Sequence, residues 1–296
     1  MIDKLGYLLA VARERSFRRA AEACGVAQPT LSAGIKQLEA ELGVLLVRRS
    51  SRYHGLTPEG EKALEWARRL VADARAMRRE LTDLGTGLSG HLRIAVIPTA
   101  LAMVASLTTP CHRRHPGISF TILSCSSAEV LRLVDGLEVD AGISYLGNEP
   151  LGRVRTVPLY TERYRLVTAR AAPLGEREAV SWAELGGLPL CLLTPDMQNR
   201  RIMDRLMHGA GADAQPTLES NSLIALLAHV QTGQWASVLP ESVVNTLGIA
   251  AGLRSIAIVE PAASYQVGLI LPHHEPVPLL TAALLSEART LSRTVA

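Results

Sequence analysis

The sequence predicts an α/β protein in which a small helical N-terminal region is joined by one long helix to a larger C-terminal region. Three observations predict this fold class. Apolar residues recur at helical spacing up to residue 42, a pattern close to heptads follows Pro58, and strand-like segments alternate with helix-like ones from residue 91 onward. A chain of 296 residues is longer than one hydrophobic core ordinarily supports, so two or three domains are expected.

The N-terminal region is predicted to contain three helices. The first covers residues 3–14, and the second follows Ser16, whose side chain can cap it, and stops at Gly25. After a three-residue turn, the third helix covers residues 28–42 and is ended by Gly43. Two helices joined by such a short turn have the geometry of a DNA-binding helix-turn-helix.

The third helix has two faces of different chemistry. Its buried stripe is predicted to consist of Leu31, Ile35, Leu38 and Leu42. The opposite face carries Gln28, Pro29, Ser32, Ala33 and Lys36. An ordinary three-helix bundle with a solvated polar face would have the same spacing, so the spacing alone leaves that alternative open.

The polar face offers groups that can contact base edges. Gln28 can bond an adenine edge bidentately, and Pro29 or Thr30 can contact a thymine methyl group. Ser32 and Lys36 suit contacts with phosphates or bases. We therefore expect these five residues to belong to a DNA-binding surface.

The segment after the third helix is basic and hairpin-like. Within residues 46–57, Arg49 and Arg52 suit phosphates or a narrow minor groove. Residues 1–57 hold nine Lys and Arg against five Asp and Glu, whereas residues 90–296 hold sixteen against seventeen. Positive charge is thus concentrated in the N-terminal region, as expected where one module meets a polyanion.

A long helix is predicted from Pro58 to Leu84. Its apolar positions recur near the 3.5-residue period of a coiled-coil seam, which favours pairing with a second copy of the chain. The predicted seam consists of Leu64, Ala67, Leu70, Val71, Ala74, Met77, Leu81 and Leu84. Gly85, Gly87 and Gly90 then interrupt the helix and predict a hinge.

From residue 91 the pattern indicates βαβ units and a largely parallel sheet. The strand-like segments are HLRIAVI, SFTILSC, DAGISY, RYRLVTA, LPLCLL, SVLP and QVGLILP. This region of roughly 205 residues is large for one such domain and comfortable for two lobes.

The stretch SFRRAAEACGVAQPTLSAGIKQLEAELG, followed by LVRRSSRYHGLTPEG, resembles the winged helix-turn-helix signature of LysR-type transcriptional regulators. The resemblance continues through LRIAVIP, SSAEVLRLVDGLEVDAGIS and TGQWASVLP, so it spans essentially the whole chain. It implies an N-terminal winged helix-turn-helix, a long linker helix and a two-lobed, periplasmic-binding-protein-like α/β effector domain. It also implies a dimer through the linker helix, usually a tetramer on DNA, and a small-molecule effector between the lobes.

The resemblance implies domain boundaries along the chain. The DNA-binding domain is expected at residues 1–57, the linker helix and hinge at 58–89, and the effector domain at 90–296. Lobe I would comprise about 90–161 plus 266–296, and lobe II about 162–265.

Three residues depart from the family pattern. Ala27 replaces the usual Ser before the Gln-Pro pair, so the third helix lacks a side-chain cap, at a cost of about 1 kcal/mol. Val47 stands where Phe is favoured, so looser contact of the wing is expected, and Trp235 stands where Gly is usual. A large aromatic side chain at that position is expected to change the packing near the cleft.

By resemblance, the effector contacts residues at the carboxyl ends of strands and at the starts of the helices that follow. The matching positions are Thr99, Ser126, Ser127, Thr194, Pro195 and Asn199. Free hydroxyls and backbone N–H groups at helix starts suit a carboxylate or another small anion. The sequence leaves open whether Thr99 and Ser126 only cap their helices or also contact the ligand.

Two pairs of neighbouring residues have chemistry that could serve a site. Arg200 and Arg201 are candidate anion partners, although adjacent arginines more often face solvent. His273 and His274 have no third ligand at metal-binding spacing, so a solvated loop and no metal site are predicted.

The cysteines at positions 24, 111, 125 and 191 form no CxxC motif and have no regular spacing. Cys111 and Cys125 lie fourteen residues apart without a local basic motif at Cys125, so free thiols are predicted rather than a peroxide-sensing pair. No cofactor is expected.

Two other classes of protein fit the sequence poorly. GxSxG, HExxH, GxxxxGK[ST] and a helix-opening GxGxxG motif are missing from the sequence, which argues against an enzyme. A free-standing solute receptor would carry an export signal and no basic helix-turn-helix.

The sequence also predicts where the protein acts and what it binds. It has neither a secretory signal nor a run of eighteen apolar residues, so a cytoplasmic protein without a membrane partner is expected. The expected partners are promoter DNA with a near-palindromic site, a second copy of the chain, a small effector and RNA polymerase.

Overall fold

The computed structural model describes residues 1–49, 53–83, 87–147, 149–213, 215–248, 250–273 and 276–295. They fall into two units, Met1–Gly87 and Leu88–Ala296. The division lies within the glycine-rich segment of the predicted hinge, of which Gly85 is outside the described residues.

The first unit is helical with one small hairpin. Its elements are α1 (Ile2–Glu14), α2 (Phe17–Ala23), α3 (Gln28–Leu42), β1 (Val47–Arg49), β2 (Tyr53–Leu56) and α4 (Pro58–Asp83). Ser16 caps α2, because its Oγ accepts the N–H of Arg19 at 3.4 Å. Gly43 ends α3 with φ 72°, and Ala27 precedes α3 without a side-chain hydrogen bond. The three predicted N-terminal helices and their caps are confirmed.

The core of the first unit changes the interpretation of the long helix. Leu64, Ala67 and Val71 of α4 are buried in this core, where α4 packs against α1. The predicted seam is therefore wrong for these three residues, because they are already covered by their own chain. The large apolar side chains that α4 leaves exposed are Trp66, Leu70, Met77 and Leu81. Leu84 lies outside the described residues.

The second unit alternates strands and helices. Its helices are α5 (Leu101–Arg114), α6 (Ser127–Asp135), α7 (Gln198–Gly209), α8 (Leu223–Gln231), α9 (Glu241–Leu247) and α10 (Leu279–Val295). Its strands are β3 (Ser89–Val96), β4 (Gly117–Ser124), β5 (Ala141–Tyr145), β6 (Val154–Ala169), β7 (Ala179–Ser181), β8 (Cys191–Leu193), β9 (Leu218–Ser220), β10 (Ser237–Pro240), β11 (Leu253–Glu260) and β12 (Ser264–Pro272). Short 3-10 turns cover Pro98–Ala100 and Ala183–Gly187.

The main sheet of the second unit has the strand order β4-β3-β5-β12-β6-β11-β7, with β10 also paired to β6. Strand β3 pairs in parallel with β4 and β5, whereas β12 is antiparallel to both β5 and β6. Strands β10 and β11 are also antiparallel to β6. The prediction of a largely parallel sheet is therefore wrong, since antiparallel pairings occupy its centre.

The long strand β6 connects the two halves of this sheet. Residues 154–163 pair with β12, and residues 164–169 pair with β10 and β11. Only residues 163–169 were predicted as a strand, and the stretch before them contains Pro158, which cannot donate a ladder hydrogen bond. Pairing with β12 extends the strand to Val154 despite this weak local preference.

Trp235 packs against an apolar cluster in the second unit that includes Cys191 and Met197. Its ring meets the imidazole of His229 edge-on, with 6.1 Å between ring centroids. Met197, which belongs to the same cluster, directly precedes α7. Within the described residues, none of the helices combines the length and the apolar character that crossing a membrane requires.

Gly60, in the first turn of α4, allows that turn to approach the backbone of Leu46 closely. A methyl group at Gly60 would lie 2.0 Å from the Leu46 carbonyl oxygen. We therefore expect Gly60→Ala to destabilise the first unit by roughly 1–3 kcal/mol, since the buried backbone must shift. Chemical denaturation of the full chain, followed by circular dichroism, measures the change.

The matched control is Gly6→Ala in α1, where no described atom lies within 4 Å of the added methyl group. This substitution should stabilise the helix by up to about 1 kcal/mol. Equal effects of the two substitutions would show that the approach of α4 to Leu46 does not constrain the fold.

Candidate DNA-binding surface and candidate effector site

The start of α3 presents polar side chains above a buried apolar stripe. Leu31, Ile35 and Leu38 are fully buried, whereas Leu42, predicted as the end of this stripe, is exposed because the helix ends beyond the core. The side chains predicted to contact DNA lie on the other side of α3: Gln28, Pro29, Thr30 and Lys36 are exposed, and Ser32 is half-buried. The core therefore holds the helix by one face and leaves these groups accessible to solvent.

The hairpin after α3 is positioned by a buried carboxylate that the sequence analysis missed. Glu39 of α3 is 7% exposed and accepts the N–H groups of Leu46 and Val47, at 3.0 and 3.2 Å. Strands β1 and β2 then pair antiparallel. A Glu next to the apolar stripe is the only local sign of this contact, and the N–H donors lie seven and eight residues away.

The basic residues of the hairpin are described only in part. Arg49 ends β1, and Arg52 lies outside the described residues. Val47 is 2% exposed, and the rings of Phe17 and Tyr53 meet edge-on with 6.4 Å between centroids. The hairpin therefore packs against the core through Val47, and the looser contact expected from this small side chain stays a prediction.

The predicted effector residues of the first half of the second unit lie at one edge of the sheet. The parallel strands β3, β4 and β5 end together, since Val96 pairs with Ser124 on one side and Ile143 on the other. Thr99, Ser126 and Ser127 follow the ends of β3 and β4, and Tyr145 ends β5. Parallel strands with aligned carboxyl ends form the usual ligand-binding edge of α/β sheets.

Thr99 and Ser126, which the sequence treats alike, differ in the structure. Ser126 caps α6, because its Oγ accepts the N–H of Glu129 at 3.3 Å. Thr99 does not cap α5, whose start at Ala100 has no side-chain hydrogen bond. The Thr99 side chain is 1% exposed, and its hydroxyl has no partner among the described residues. Such a buried hydroxyl costs free energy until water or a ligand bonds it.

The start of α7 carries further polar atoms without partners. Among the described residues, Thr194 Oγ1, Gln198 Nε2 and Asn199 Oδ1 are buried and make no hydrogen bond. The other end of the Asn199 amide is engaged, because Nδ2 donates to the Tyr145 hydroxyl at 3.1 Å. This contact brings the first turn of α7 to the carboxyl end of β5.

Arg201 makes a second connection between α7 and the same edge. Its guanidinium contacts Glu149 at 2.6 Å and donates to Ser127 Oγ at 3.3 Å. It also donates to the backbone carbonyls of Pro195 and Asp196, at 3.3 and 2.7 Å. The structure thereby brings together the predicted residues Ser127 and Pro195 through an arginine bonded to both.

The expectation that adjacent arginines face solvent is wrong at this position. Arg200 is buried and ion-paired with Asp204 and Glu219, at 2.7 and 2.6 Å. Arg201 is paired with Glu149. Both guanidinium groups therefore have carboxylate partners within the chain.

A second buried carboxyl that the sequence analysis missed, Glu162 of β6, lies beside this site. Its side chain is 1% exposed and accepts a hydrogen bond from the Tyr145 hydroxyl. Tyr160 donates to it at 3.4 Å, and the hydroxyls of Tyr145 and Tyr164 lie 3.4 Å apart. Nothing local distinguishes Glu162 from an exposed strand residue, because its burial depends on β5, β12 and α7.

Burial governs the proton equilibria of this cluster. Loss of solvation raises the pKa of Glu162 to about 7, although hydrogen bonds from the tyrosines oppose the rise. Burial and the neighbouring carboxyl raise the pKa values of Tyr145 and Tyr164 well above their usual range. The phenols therefore remain protonated at neutral pH, while the carboxyl changes its charge there.

Metal and thiol chemistry receive no support at this site. The described residues contain no cluster of His, Cys, Asp and Glu that could hold a metal ion. His273 is exposed, and His274 lies outside the described residues. Burial raises the pKa values of Cys111 and Cys125, and both thiols are free.

Comparison with known proteins connects both surfaces to described families. The protein-family model described as "Bacterial regulatory helix-turn-helix protein, lysR family" matches residues 2–61. A second family model, described as "LysR substrate binding domain", matches residues 85–293. A hydrogen peroxide-inducible genes activator of Dickeya chrysanthemi is 30% identical over 277 residues, covering 93% of this chain and 90% of the relative.

Solved structures show the same arrangement of elements. A full-length OxyR variant from Pseudomonas aeruginosa has a TM-score of 0.76 at 28% identity, covering 99% of this chain and 96% of that one. Full-length CbnR in complex with its target DNA has a TM-score of 0.66 at 21% identity, covering 98% and 99%. At that lower identity, the second likeness concerns the fold alone.

The raised pKa of Glu162 makes stability depend on pH. The unfolded Glu has a pKa near 4.5 and the folded one a pKa of about 7, so the folded state binds the proton more tightly. Its contribution to the free energy of unfolding is complete below pH 4.5 and is lost as pH rises through 7, by about 3 kcal/mol. Glu162→Gln should therefore gain stability relative to the wild type between pH 5 and 8, as measured by denaturant unfolding.

Glu129→Gln provides a control that should not depend on pH in this window. The hydrogen bond from Arg132 lowers the pKa of Glu129, so its contribution is lost only as pH falls below its ordinary value, and the stability difference from the wild type should be the same at pH 5 and pH 8. If the stability difference between Glu162→Gln and the wild type were the same at pH 5 and pH 8, the buried carboxyl would not titrate in this range.

Proposed function

This chain belongs to the LysR-type family of transcriptional regulators, and from that premise we propose that α3 is its DNA-recognition helix and that the second unit holds its effector beside α7. The protein is a sequence-specific DNA-binding regulator under small-molecule control rather than an enzyme. The observation that carries the DNA proposal is the exposed polar start of α3 above its fully buried stripe.

The roles proposed for the DNA-binding residues follow their chemistry. Gln28 bonds a base edge, and Pro29 or Thr30 contacts a thymine methyl group in the major groove. Ser32 and Lys36 contact phosphates or bases. Arg49 and Arg52 are proposed, from their place in the sequence, to contact phosphates or a narrow minor groove.

We expect Gln28→Ala to relax base preference at one position of the operator, at a cost of roughly 1–3 kcal/mol for the preferred base. The reason is the loss of a bidentate contact that only one base satisfies. Binding to a set of operators that differ at single positions, measured at one fixed salt concentration, tests this.

Gln37→Ala is the matched control, because Gln37 is also an exposed glutamine of α3 but lies more than two turns from its start. It should leave both affinity and base preference unchanged. A uniform loss over all operators in Gln28→Ala would contradict base contact and indicate a phosphate role instead.

The exposed stripe of α4 supports a dimer. Trp66, Leu70, Met77 and Leu81 repeat at intervals of four, seven and four residues, which places them on one helical face. We infer that a second copy covers this face, that the paired recognition helices bind a near-palindromic site, and that two dimers form a tetramer on DNA. This assembly would act in the cytoplasm and contact RNA polymerase at the promoter.

The proposed division of labour follows the domains inferred from the sequence. Residues 1–57 bind DNA, residues 58–89 pair the chains, and residues 90–296 bind the effector. The effector domain would comprise lobe I, about 90–161 plus 266–296, and lobe II, about 162–265. Contacts from α7 to Tyr145, Glu149 and Ser127 support an effector site between these lobes.

The proposed effector site is formed by the predicted residues and by Gln198, which the sequence analysis did not single out. The observation that supports this site is that buried polar atoms of Thr99, Thr194, Gln198 and Asn199 have no hydrogen-bond partner among the described residues. The expected anionic effector would find donors here, but both nearby guanidinium groups have carboxylate partners. We therefore propose a small polar effector held by hydrogen bonds rather than by a free cation.

The names of the relatives suggest hydrogen peroxide as an alternative signal. Peroxide reacts with thiolates, and burial raises the pKa values of all four cysteines of this chain. These observations favour ligand binding over thiol oxidation as the signal.

A thermal-shift screen of small carboxylates, amides and polyols tests the effector site. A ligand at a hundred times its Kd adds about 2.7 kcal/mol to the free energy of unfolding. We expect the stabilising compounds to lose their effect in Thr99→Val, because the ligand would lose its bond to this hydroxyl. Without ligand, Thr99→Val should be at least as stable as the wild type, since an unpartnered buried hydroxyl is removed.

Thr108→Val is the control, because Thr108 lies on α5 and its hydroxyl already bonds the Val104 carbonyl at 3.2 Å. The compounds should stabilise this variant as they do the wild type. Compounds that stabilise Thr99→Val and Thr108→Val equally would place the effector elsewhere.

A further inference from the structure

Glu162 is a buried acid without a cationic partner in the part of the chain that the structure describes. The groups that face it are phenols and an amide: Tyr160 and Tyr164 from β6, Tyr145 from β5 and Asn199 from α7. Tyr265 of β12 is its register partner and packs its ring against those of Tyr145 and Tyr164. Since none of the described Lys, Arg and His residues pairs with it, its hydrogen-bond partners are neutral groups.

Glu162, Tyr145 and Asn199 form one hydrogen-bonded chain that ends at the proposed effector site. With Glu162 ionised, the Tyr145 hydroxyl donates its single proton to the carboxylate. The phenol oxygen then accepts from Asn199 Nδ2, at 3.1 Å. This arrangement leaves Asn199 Oδ1 as the buried atom without a partner.

Protonation of Glu162 exchanges the donors and acceptors in these hydrogen bonds. A protonated carboxyl must donate, and the Tyr145 oxygen is the acceptor already in contact with it. The proton of Tyr145 then points to Asn199, which can accept it only through Oδ1. Rotation of the amide about its last side-chain bond exchanges the two ends, so Nδ2 becomes the atom left facing the site.

We propose that the proton on Glu162 determines, through Tyr145, whether Asn199 offers the effector site a hydrogen-bond acceptor or a donor. This inference rests on the proposed effector site at α7. One proton taken from solvent reverses two hydrogen bonds and exchanges the amide atom that faces the site, and no covalent bond other than the O–H of Glu162 forms or breaks.

The proposal specifies the class of effector at each pH. When Glu162 is ionised, Asn199 selects a ligand group with an N–H or O–H, such as a hydroxyl or an amide. When Glu162 is protonated, Asn199 selects an acceptor such as a carboxylate. Because the pKa of Glu162 lies at about 7, both forms are populated at neutral pH. Binding of a carboxylate would therefore be accompanied by proton uptake.

The test observes the Asn199 amide directly in the full-length protein without effector. The chain contains four asparagines, at positions 148, 199, 221 and 245, so selective ¹⁵N-asparagine labelling produces four side-chain amide signals. Asn199→Asp identifies the signal of interest. We expect this signal to shift with pH with a midpoint near 7, and to lose that shift in Glu162→Gln.

Two tyrosine variants test whether the Asn199 signal titrates because of the hydrogen bonds through Tyr145 or because of a general effect of the buried charge. Tyr145→Phe removes the hydroxyl between the carboxyl and the amide while keeping the ring, so the pH-dependent shift of the Asn199 signal should become much smaller, and what remains would come from the direct contact of the amide with Glu162. Infrared spectroscopy of the carboxylic-acid band should still detect titration of Glu162 in this variant. In Tyr164→Phe, which leaves Tyr145 bonded to both neighbours, the Asn199 signal should still titrate.

The outcomes distinguish this proposal from the proposed effector site. An Asn199 signal that does not titrate, or that titrates equally in Tyr145→Phe, overturns the proposal even if the ligand screen identifies Thr99. A titrating signal that depends on Glu162 and Tyr145 supports it even if the ligands of the screen bind elsewhere. In that second case, only the location of the effector site would be wrong.

Discussion

The structure of the second unit depends on one strand that belongs to both halves of its sheet. Strand β6 pairs with β12 over residues 154–163 and with β10 and β11 over residues 164–169. A rearrangement of one half relative to the other would therefore involve the backbone of β6 near residue 163. Glu162 lies at this point, and its hydrogen bonds extend to β5 and α7. A carboxyl whose pKa is raised to about 7 thus lies where the two halves of the sheet meet.

Polar contacts connect the first turn of α7 to the edge of the sheet. Asn199 bonds Tyr145, and Arg201 bonds Glu149 and Ser127. Such contacts are sensitive to a ligand, because each can be exchanged for a hydrogen bond of similar strength without opening a cavity in the core. A ligand can move α7 only if it binds these groups more tightly in one arrangement of the helix than in another. The unpartnered atoms at Thr194, Gln198 and Asn199 are the places where such a difference can arise.

Both units have a buried glutamate beside a proposed binding surface, but with different consequences. Glu39 accepts two backbone N–H groups at the start of the hairpin, which fixes the chain beside α3. Glu162 accepts hydroxyl protons instead. Because hydroxyls can also accept, they can reverse direction when the carboxyl is protonated, whereas backbone amides cannot. Glu39 is therefore suited to a permanent structural contact and Glu162 to a reversible one.

The sequence by itself determined the elements that depend on local spacing. The helices α1 to α3, the cap at Ser16, the turn at Gly43 and the exposed face of α3 follow from residues within one or two turns of each other. The long helix was also predictable, and so were several strands, because their apolar periods are local. Thr99, Ser126 and Asn199 were found through a resemblance to a known family, since their spacing alone contains no site.

Only the tertiary structure decided which residues of these elements are covered and by what. Leu64, Ala67 and Val71 have the period of a seam, yet α1 covers them, and the same period cannot distinguish a partner helix from the helix's own core. The mixed order of the sheet arises from the long-range pairing of β6 with β12. The burial of Glu162 and the pairing of Arg200 and Arg201 depend on residues far apart in the chain. Local patterns contain no information about such contacts, so the polarity of the proposed effector site could be inferred only from the folded protein.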